Sequence, residues 1–189
     1  MAKTTRMEWN GLKMETWDRP FAEEGPAWYA VHTRNQHEPM VESDLQARGF
    51  EVFVPRITVR SRRRDRFKLL EVPLSSCYLF VYTKMNKENY NAIVRHRGVG
   101  CIVRTKEYCI PVPAETVASL RSMVECGKTV YPWPGLVPGR QVRVVAGPLA
   151  GATGTLRRRK SGKRYFAVNV ELLGQSVAVE LEEEVEPVS

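Results

Sequence analysis

Long apolar runs are missing from this chain of 189 residues. No stretch approaches the ~18 consecutive apolar residues that a membrane helix requires, and the opening MAKTTRMEWN lacks the apolar segment of a secretory leader. The expectation is a cytoplasmic protein with no membrane role. Cysteine is sparse as well. Cys77, Cys101, Cys109 and Cys126 fall at no CxxC spacing and are too few for a secreted disulfide scaffold, so they read as reduced thiols. His32, His37 and His96 have no cysteine or second histidine at ligand spacing, so neither a metal nor another cofactor is expected. Also missing are a nucleophile elbow, a phosphate-binding glycine loop and a paired-carboxylate site. Ser75, Ser76 and Cys77 therefore do not add up to an enzyme.

What the chain does have is positive charge, a formal +8, within a globular composition of 43% apolar and 26% charged residues. Attraction to polyanions follows, and for a protein of this size nucleic acid is the leading candidate. The plainer alternative is that the charge only aids solubility.

Residues 1–27 show no sustained period and end in AEEGP, which reads as a flexible tail; Trp9 and Trp17 are its only large apolar anchors. Order begins at WYAVHT (28–33), a strand of aromatic and β-favouring residues. Asn35 is the expected N-cap of a helix that tolerates Pro39 in its first turn, carries Met40, Val41 and Leu45 at helical spacing, and stops at Gly49. FEVFVPRITVR and FKLLEVPLSSCYLFVY are extended and predict one long hairpin. Asn86 should cap a short helix through Val94, RGVGCIVRT returns as a strand, and Pro113 opens a helix with Val117, Leu120, Met123 and Val124 on one face, ended by Gly127. The order β-α-β-β-β-α-β-α, with short links, predicts an α+β domain (28–127) built on an antiparallel sheet flanked by helices.

KTVYPWPGLVPG (128–139), rich in proline and glycine, reads as a linker that supports neither helix nor central strand. From 140 to 187 period two dominates, through Val142 and Val144, then Phe166, Val168, Val170 and Leu172, then Val177, Val179 and Leu181. Several short strands in so few residues hide their apolar faces by curling into a small barrel. Gly147, Gly151 and Gly154 are placed to permit positive φ and close approach at the first turn, with Leu149 at its tip.

VPGRQVRVVAGPLAGATGTL resembles the KOW motif. WYAVHTRNQHE, GFEVFVPRITV, PLSSCYLFVY and RGV before it resemble the N-terminal domain of the NusG family of transcription elongation factors. The pattern is nearest to the specialised RfaH and UpxY-type antiterminators and covers residues 27–187. The resemblance implies a non-enzymatic, monomeric protein: an N-terminal NGN-like domain, a linker, and a five-stranded SH3-like KOW barrel. It implies a transcription factor that docks an apolar patch on the clamp helices of the largest RNA polymerase subunit, suppresses pausing and acts as an antiterminator. The matching positions are His32, Phe53, Val54, Pro73, Leu74, Tyr78 and Phe80. One departure stands out: the family usually has Phe-Pro-Gly before the tyrosine, and this chain has Ser75, Ser76 and Cys77. Losing an aromatic anchor costs docking roughly 1 to 3 kcal/mol.

By the same resemblance, Arg34, His96 and Arg97 match positions that contact the non-template DNA strand. RITVRSRRRDRFK sets seven basic residues, Arg62, Arg63 and Arg64 among them, against Asp65. That block either meets phosphate or stays solvated and keeps a strand edge from aggregating. The block at 157–164 and the acidic ELEEEVE at 180–186 either serve a partner or pair with each other. In relatives the first barrel loop meets a small-subunit ribosomal protein or the termination factor Rho, which points to Gly147, Pro148, Leu149 and Gly154. Strict alternation with glycine favours barrel over helix in this segment at all times. The alternative to a polymerase-bound factor is a general RNA- or ribosome-binding KOW protein with a scaffold N-terminal domain.

Overall fold

The computed structural model describes residues 25–60, 69–74, 77–105, 108–158 and 162–188. The tail readings for residues 1–24 and the arginine-hairpin residues Arg62, Arg63 and Arg64 lie outside the described residues.

The first sheet is organised around β1 (Ala27–Thr33), whose β-branched and aromatic residues pair antiparallel with β5 (Tyr78–Thr83) on one side. On its other side β1 meets β6 (Val99–Ile102) along its C-terminal half and β7 (Pro111–Val112) along its N-terminal half. The outer strand beyond β5 is β2 (Glu51–Phe53), and β3 (Arg56–Arg60) pairs with β4 (Leu69–Pro73) in a separate two-stranded ribbon. The long hairpin is therefore broken in two. Val54 and Pro55 interrupt one arm, and the other is divided between β4, which ends at Pro73, and β5, which begins at Tyr78, so four strands stand where three were expected.

Period two sorts the side chains of this sheet to opposite sides. Tyr29, Val31, Leu79 and Val81 face α1 (Glu38–Ala47) and α2 (Lys87–Val94), whose Val41, Leu45, Tyr90 and Ile93 complete that cluster. Trp28, Ala30, Tyr78 and Phe80 face α3 (Ala114–Glu125) through Val117, Leu120 and Met123. Each fully buried Leu, Val or Phe contributes about 1.5–3 kcal/mol, so both clusters hold the sheet from either side. Helix α2 starts as expected, with the Asn86 side chain accepting the Asn89 N–H at 2.8 Å. Helix α1 does not. A tight turn with Gln36 at φ +61 intervenes, and the N-cap is His37, so Asn35 caps nothing. The strand β7 was invisible in the sequence because it has only two residues and begins with proline.

The second sheet is antiparallel and six-stranded, ordered β13-β9-β10-β11-β12-β8. Its members are β8 (Val130–Pro134), β9 (Arg140–Val144), β10 (Thr153–Arg158), β11 (Arg164–Val170), β12 (Gln175–Glu180) and β13 (Val185–Pro187). The stretch 128–139, expected as linker alone, thus supplies an edge strand paired with β12. Pro132 and Pro134 are tolerated because an edge strand needs hydrogen bonds on one side only. Leu172 leaves the alternation, because Glu171–Leu173 form a 3-10 turn that buries Leu173 instead.

Val142, Val144, Phe166, Val168, Val177 and Val179 line one face of this sheet and merge with the α3 side of the first into a single apolar cluster. Polar contacts accompany the merger: Thr153 N–H donates to Ser119 Oγ at 3.0 Å, and Lys128 pairs with Glu183.

Candidate functional site

An aromatic face forms where β2, β5 and β1 lie side by side. Phe53 is opposite Phe80 in the strand register, and their rings stack at 6.2 Å with a 25° tilt. Trp28 meets Tyr82 at 5.3 Å, and His32 meets Tyr78 edge-on at 5.1 Å. Arg121 of α3 holds its guanidinium 5.1 Å from the Phe53 centroid and 5.9 Å from that of Trp28, and pairs with Glu51 at 3.4 Å.

Of the expected apolar positions, Phe53, Leu74, Tyr78 and Phe80 share one cluster, and His32 joins it through Tyr78. Pro73 ends β4 half-buried, whereas Val54 turns to the opposite cluster beside α1. Leu74, Tyr78 and Phe80 are buried, so the accessible part of this face is His32, Phe53 and Pro73 together with Tyr82, which is 39% exposed. Trp28, Tyr82 and Arg121 escaped sequence reasoning. The pairing of Trp28 with Tyr82 follows from the β1–β5 register, but Arg121 reaches the face only through the packing of α3. Burial lowers the His32 pKa, and nearby Glu38 partly offsets this. Burial likewise raises the Tyr78 hydroxyl and the Cys101 thiol.

Of the replaced Phe-Pro-Gly segment, Ser75 and Ser76 lie outside the described residues, and Cys77 lies within them. Cys77 has φ +67, a left-handed backbone that suits the glycine usual at this position. Its N–H donates to Glu38 Oε1 at 2.7 Å and its carbonyl accepts Thr33 N–H at 2.8 Å. Glu38 is 3% exposed, so a buried carboxylate clamps the turn that delivers Tyr78 to the face. The helix start that placed Glu38 was misread from the sequence, and the clamp was missed with it.

At one end of the sheet, Arg34 N–H donates to the Gly98 carbonyl at 2.8 Å, which brings the ends of β1 and α2–β6 together. Arg34 and Arg97 are both exposed there, and Arg97 reaches Met40 Sδ at 3.5 Å. His96 differs from expectation. Its residue is 6% exposed, Nδ1 accepts the Gly98 N–H at 3.0 Å, and Nε2 lies 2.7 Å from Asp44 Oδ2. With both nitrogens engaged inside the fold, it offers an incoming strand nothing.

The β9–β10 turn corrects a second expectation. Gly147 and Gly151 take φ of +83 and +84, and Gly147 and Pro148 are exposed. Leu149, however, is 0% exposed and belongs to the apolar cluster instead of the tip, because Ala150 N–H to Gly147 O and Gly151 N–H to Val144 O curl the turn inward. The exposed apolar residue is Val145, at 54%. Gly154 is buried, at ordinary φ, and serves close packing. Among the described residues, no group of three or more His, Cys, Asp or Glu is arranged to hold a metal, and no helix is long and apolar enough to cross a membrane.

An antiparallel sheet with an aromatic face and an arginine corner, joined to a second β-sheet, presents surfaces of the kind binding proteins use. Comparison with known proteins places it more closely. Residues 26–121 match the family model described as NusG, transcription termination factor. The chain is 30% identical over 166 residues to the transcription termination/antitermination protein NusG of Pseudomonas aeruginosa, covering 82% of this chain and 94% of that one. The Bacillus subtilis protein of the same name is 25% identical over 170 residues, with 82% and 94% covered. A solved structure described as domain interaction in Thermotoga maritima NusG superposes with a TM-score of 0.50 at 22% identity, covering 87% of this chain and 98% of that one. The chain belongs to the NusG family of transcription termination/antitermination factors, which are not enzymes.

Proposed function

We propose that this protein is a transcription elongation factor of the antiterminator type, acting in the cytoplasm as a monomer. Its domain at 28–127 docks on the clamp helices of the largest RNA polymerase subunit and suppresses pausing. The observation that carries this reading is the aromatic face: Phe53 and His32 are half-exposed on a bed of buried Phe80, Tyr78 and Leu74, as an apolar hot spot requires. Arg34 and Arg97 project from the neighbouring corner and contact phosphates of the non-template DNA strand, with Arg62, Arg63 and Arg64 as further contacts. Arginine suits the task because its planar guanidinium pairs with phosphate bidentately and stacks on bases.

Residues 140–187 form the SH3-like KOW barrel, and 128–139 connects the two domains while lending the strand β8. The gathering of Val142, Val144, Phe166, Val168, Val177 and Val179 into one buried apolar cluster supports that reading. The exposed Val145, Gly147 and Pro148 of its first turn, in place of buried Leu149, meet a small-subunit ribosomal protein or Rho.

The test is binding of the full chain to purified RNA polymerase as salt rises. An apolar dock resists salt, whereas a phosphate-driven contact weakens steeply. Phe53→Ala should weaken polymerase binding about tenfold, as loss of an aromatic anchor worth ~1.4 kcal/mol does. Unchanged binding by that variant refutes the assignment, and salt-labile binding to any polyanion favours the RNA-binding alternative.

A further inference from the structure

We infer that Asp44 and His96 are positioning residues that hold Arg34 and Arg97 as a preformed phosphate clamp; the inference rests on the reading of those arginines as phosphate contacts. The geometry passes through one glycine. Gly98 N–H donates to His96 Nδ1 at 3.0 Å, so that nitrogen carries no proton and the ring proton resides on Nε2. Nε2 then donates to Asp44 Oδ2 at 2.7 Å, which ties the α2–β6 turn to α1. The Gly98 carbonyl accepts the Arg34 N–H at 2.8 Å. Arg97 lies between the braced His96 and Gly98, so both arginines attach to the same braced glycine, Arg97 through the peptide bond on its N-terminal side and Arg34 through a hydrogen bond to its carbonyl.

The turn has no room to drift. A Cβ on Gly98 would meet Val41 Cγ2 at 2.7 Å and Met40 Cε at 3.0 Å, both on α1, the helix that carries Asp44. Two arginines lose backbone and side-chain freedom when one anion orders them both. A rigid mount lowers the backbone part of that cost. Asp44 is half-exposed, with 51% of its side-chain surface accessible, whereas the His96 side chain is 4% exposed, so Asp44 can be altered with little risk to the core.

The charge of Asp44 makes the test discriminating. Coulomb's law alone says that removing a negative charge from a protein that binds an anion strengthens the binding. Positioning demands the opposite. Full-length protein would be titrated with a fluorescent single-stranded oligodeoxynucleotide of about twelve nucleotides, at several salt concentrations. Arg97→Ala should lower affinity about threefold or more and reduce the log–log salt slope by about 0.7, the value for one lost phosphate contact. Asp44→Ala should lose comparable affinity and slope, with no further loss when combined with Arg97→Ala. Asp44→Asn, whose amide oxygen still accepts from Nε2, should bind as tightly as the parent or more so.

If Asp44→Ala binds like the parent or tighter, or if its loss simply adds to that of Arg97→Ala, the positioning role is overturned. If Arg34→Ala and Arg97→Ala both leave affinity and slope unchanged, the phosphate-contact reading itself fails.

Discussion

Replacing Gly154 by alanine tests the packing of the second sheet at a single atom. Gly154 lies on β10 opposite Val142, and a Cβ there would meet the Ala167 carbonyl oxygen at 2.5 Å and Phe166 Cζ and Cε2 at 2.8 and 2.9 Å. None of these can yield easily. The Ala167 oxygen belongs to β11, which is paired on both sides, with Thr155 and Ala178 as its partners, and Phe166 is 0% exposed in the core. Overpacking of this kind costs typically 1–3 kcal/mol, and contact with backbone puts Gly154→Ala in the upper part of that range, about 2–3 kcal/mol. At about 2–4 °C per kcal/mol for a chain of this size, the melting temperature should fall by roughly 4–12 °C. Gly151→Ala is the control. Its φ is +84 but no atom lies within 4 Å of the added Cβ, so only backbone strain applies, about 1 kcal/mol and roughly 2–4 °C. Thermal unfolding followed by circular dichroism reads both. The argument from close approach is refuted if Gly154→Ala melts with the parent, or no lower than Gly151→Ala.

Glu38→Leu should destabilise by about 1–3 kcal/mol by stranding the Cys77 N–H, while Glu38→Gln, which keeps an acceptor, recovers most of it; denaturant midpoints measure the difference. His32 gives a pH signature of defined sign. Its pKa is lowered in the folded state, so the unfolded chain takes up the proton first as pH falls below the ordinary 6.5. Its contribution is complete above that pH and is lost on going down towards the folded pKa, so His32→Phe should flatten the stability–pH curve in that window, and an unchanged curve counts against the burial argument. Asn86→Ala removes the cap of α2 and should cost about 1 kcal/mol, seen as a lower unfolding midpoint with an unaltered denaturant slope.

Much of the fold was legible in local sequence. Asn86 caps its helix, Gly49 and Gly127 end theirs at positive φ, and the valine alternation marks the strands of the second sheet, because propensity, capping and period two act over a few residues. The family was legible for the same reason, since its motifs are short runs of strand and turn.

Side-chain fates decided by distant partners were not legible. His96 reads as a surface cation beside Arg97 until Asp44, 52 residues away, and the Gly98 amide are seen to occupy its ring. Leu149 reads as the tip of a turn until the turn curls it into the core. Cys77 reads only as one of three departures from the family's Phe-Pro-Gly until Glu38, 39 residues earlier, is found holding its N–H. The proline-rich stretch 128–139 reads as a tether until β12 offers Val130–Pro134 an edge. Backbone preference is local and is written in neighbouring residues. Burial and hydrogen-bond partnership are set where separate elements meet, so only the assembled tertiary structure determined which residues of this protein remain available to others.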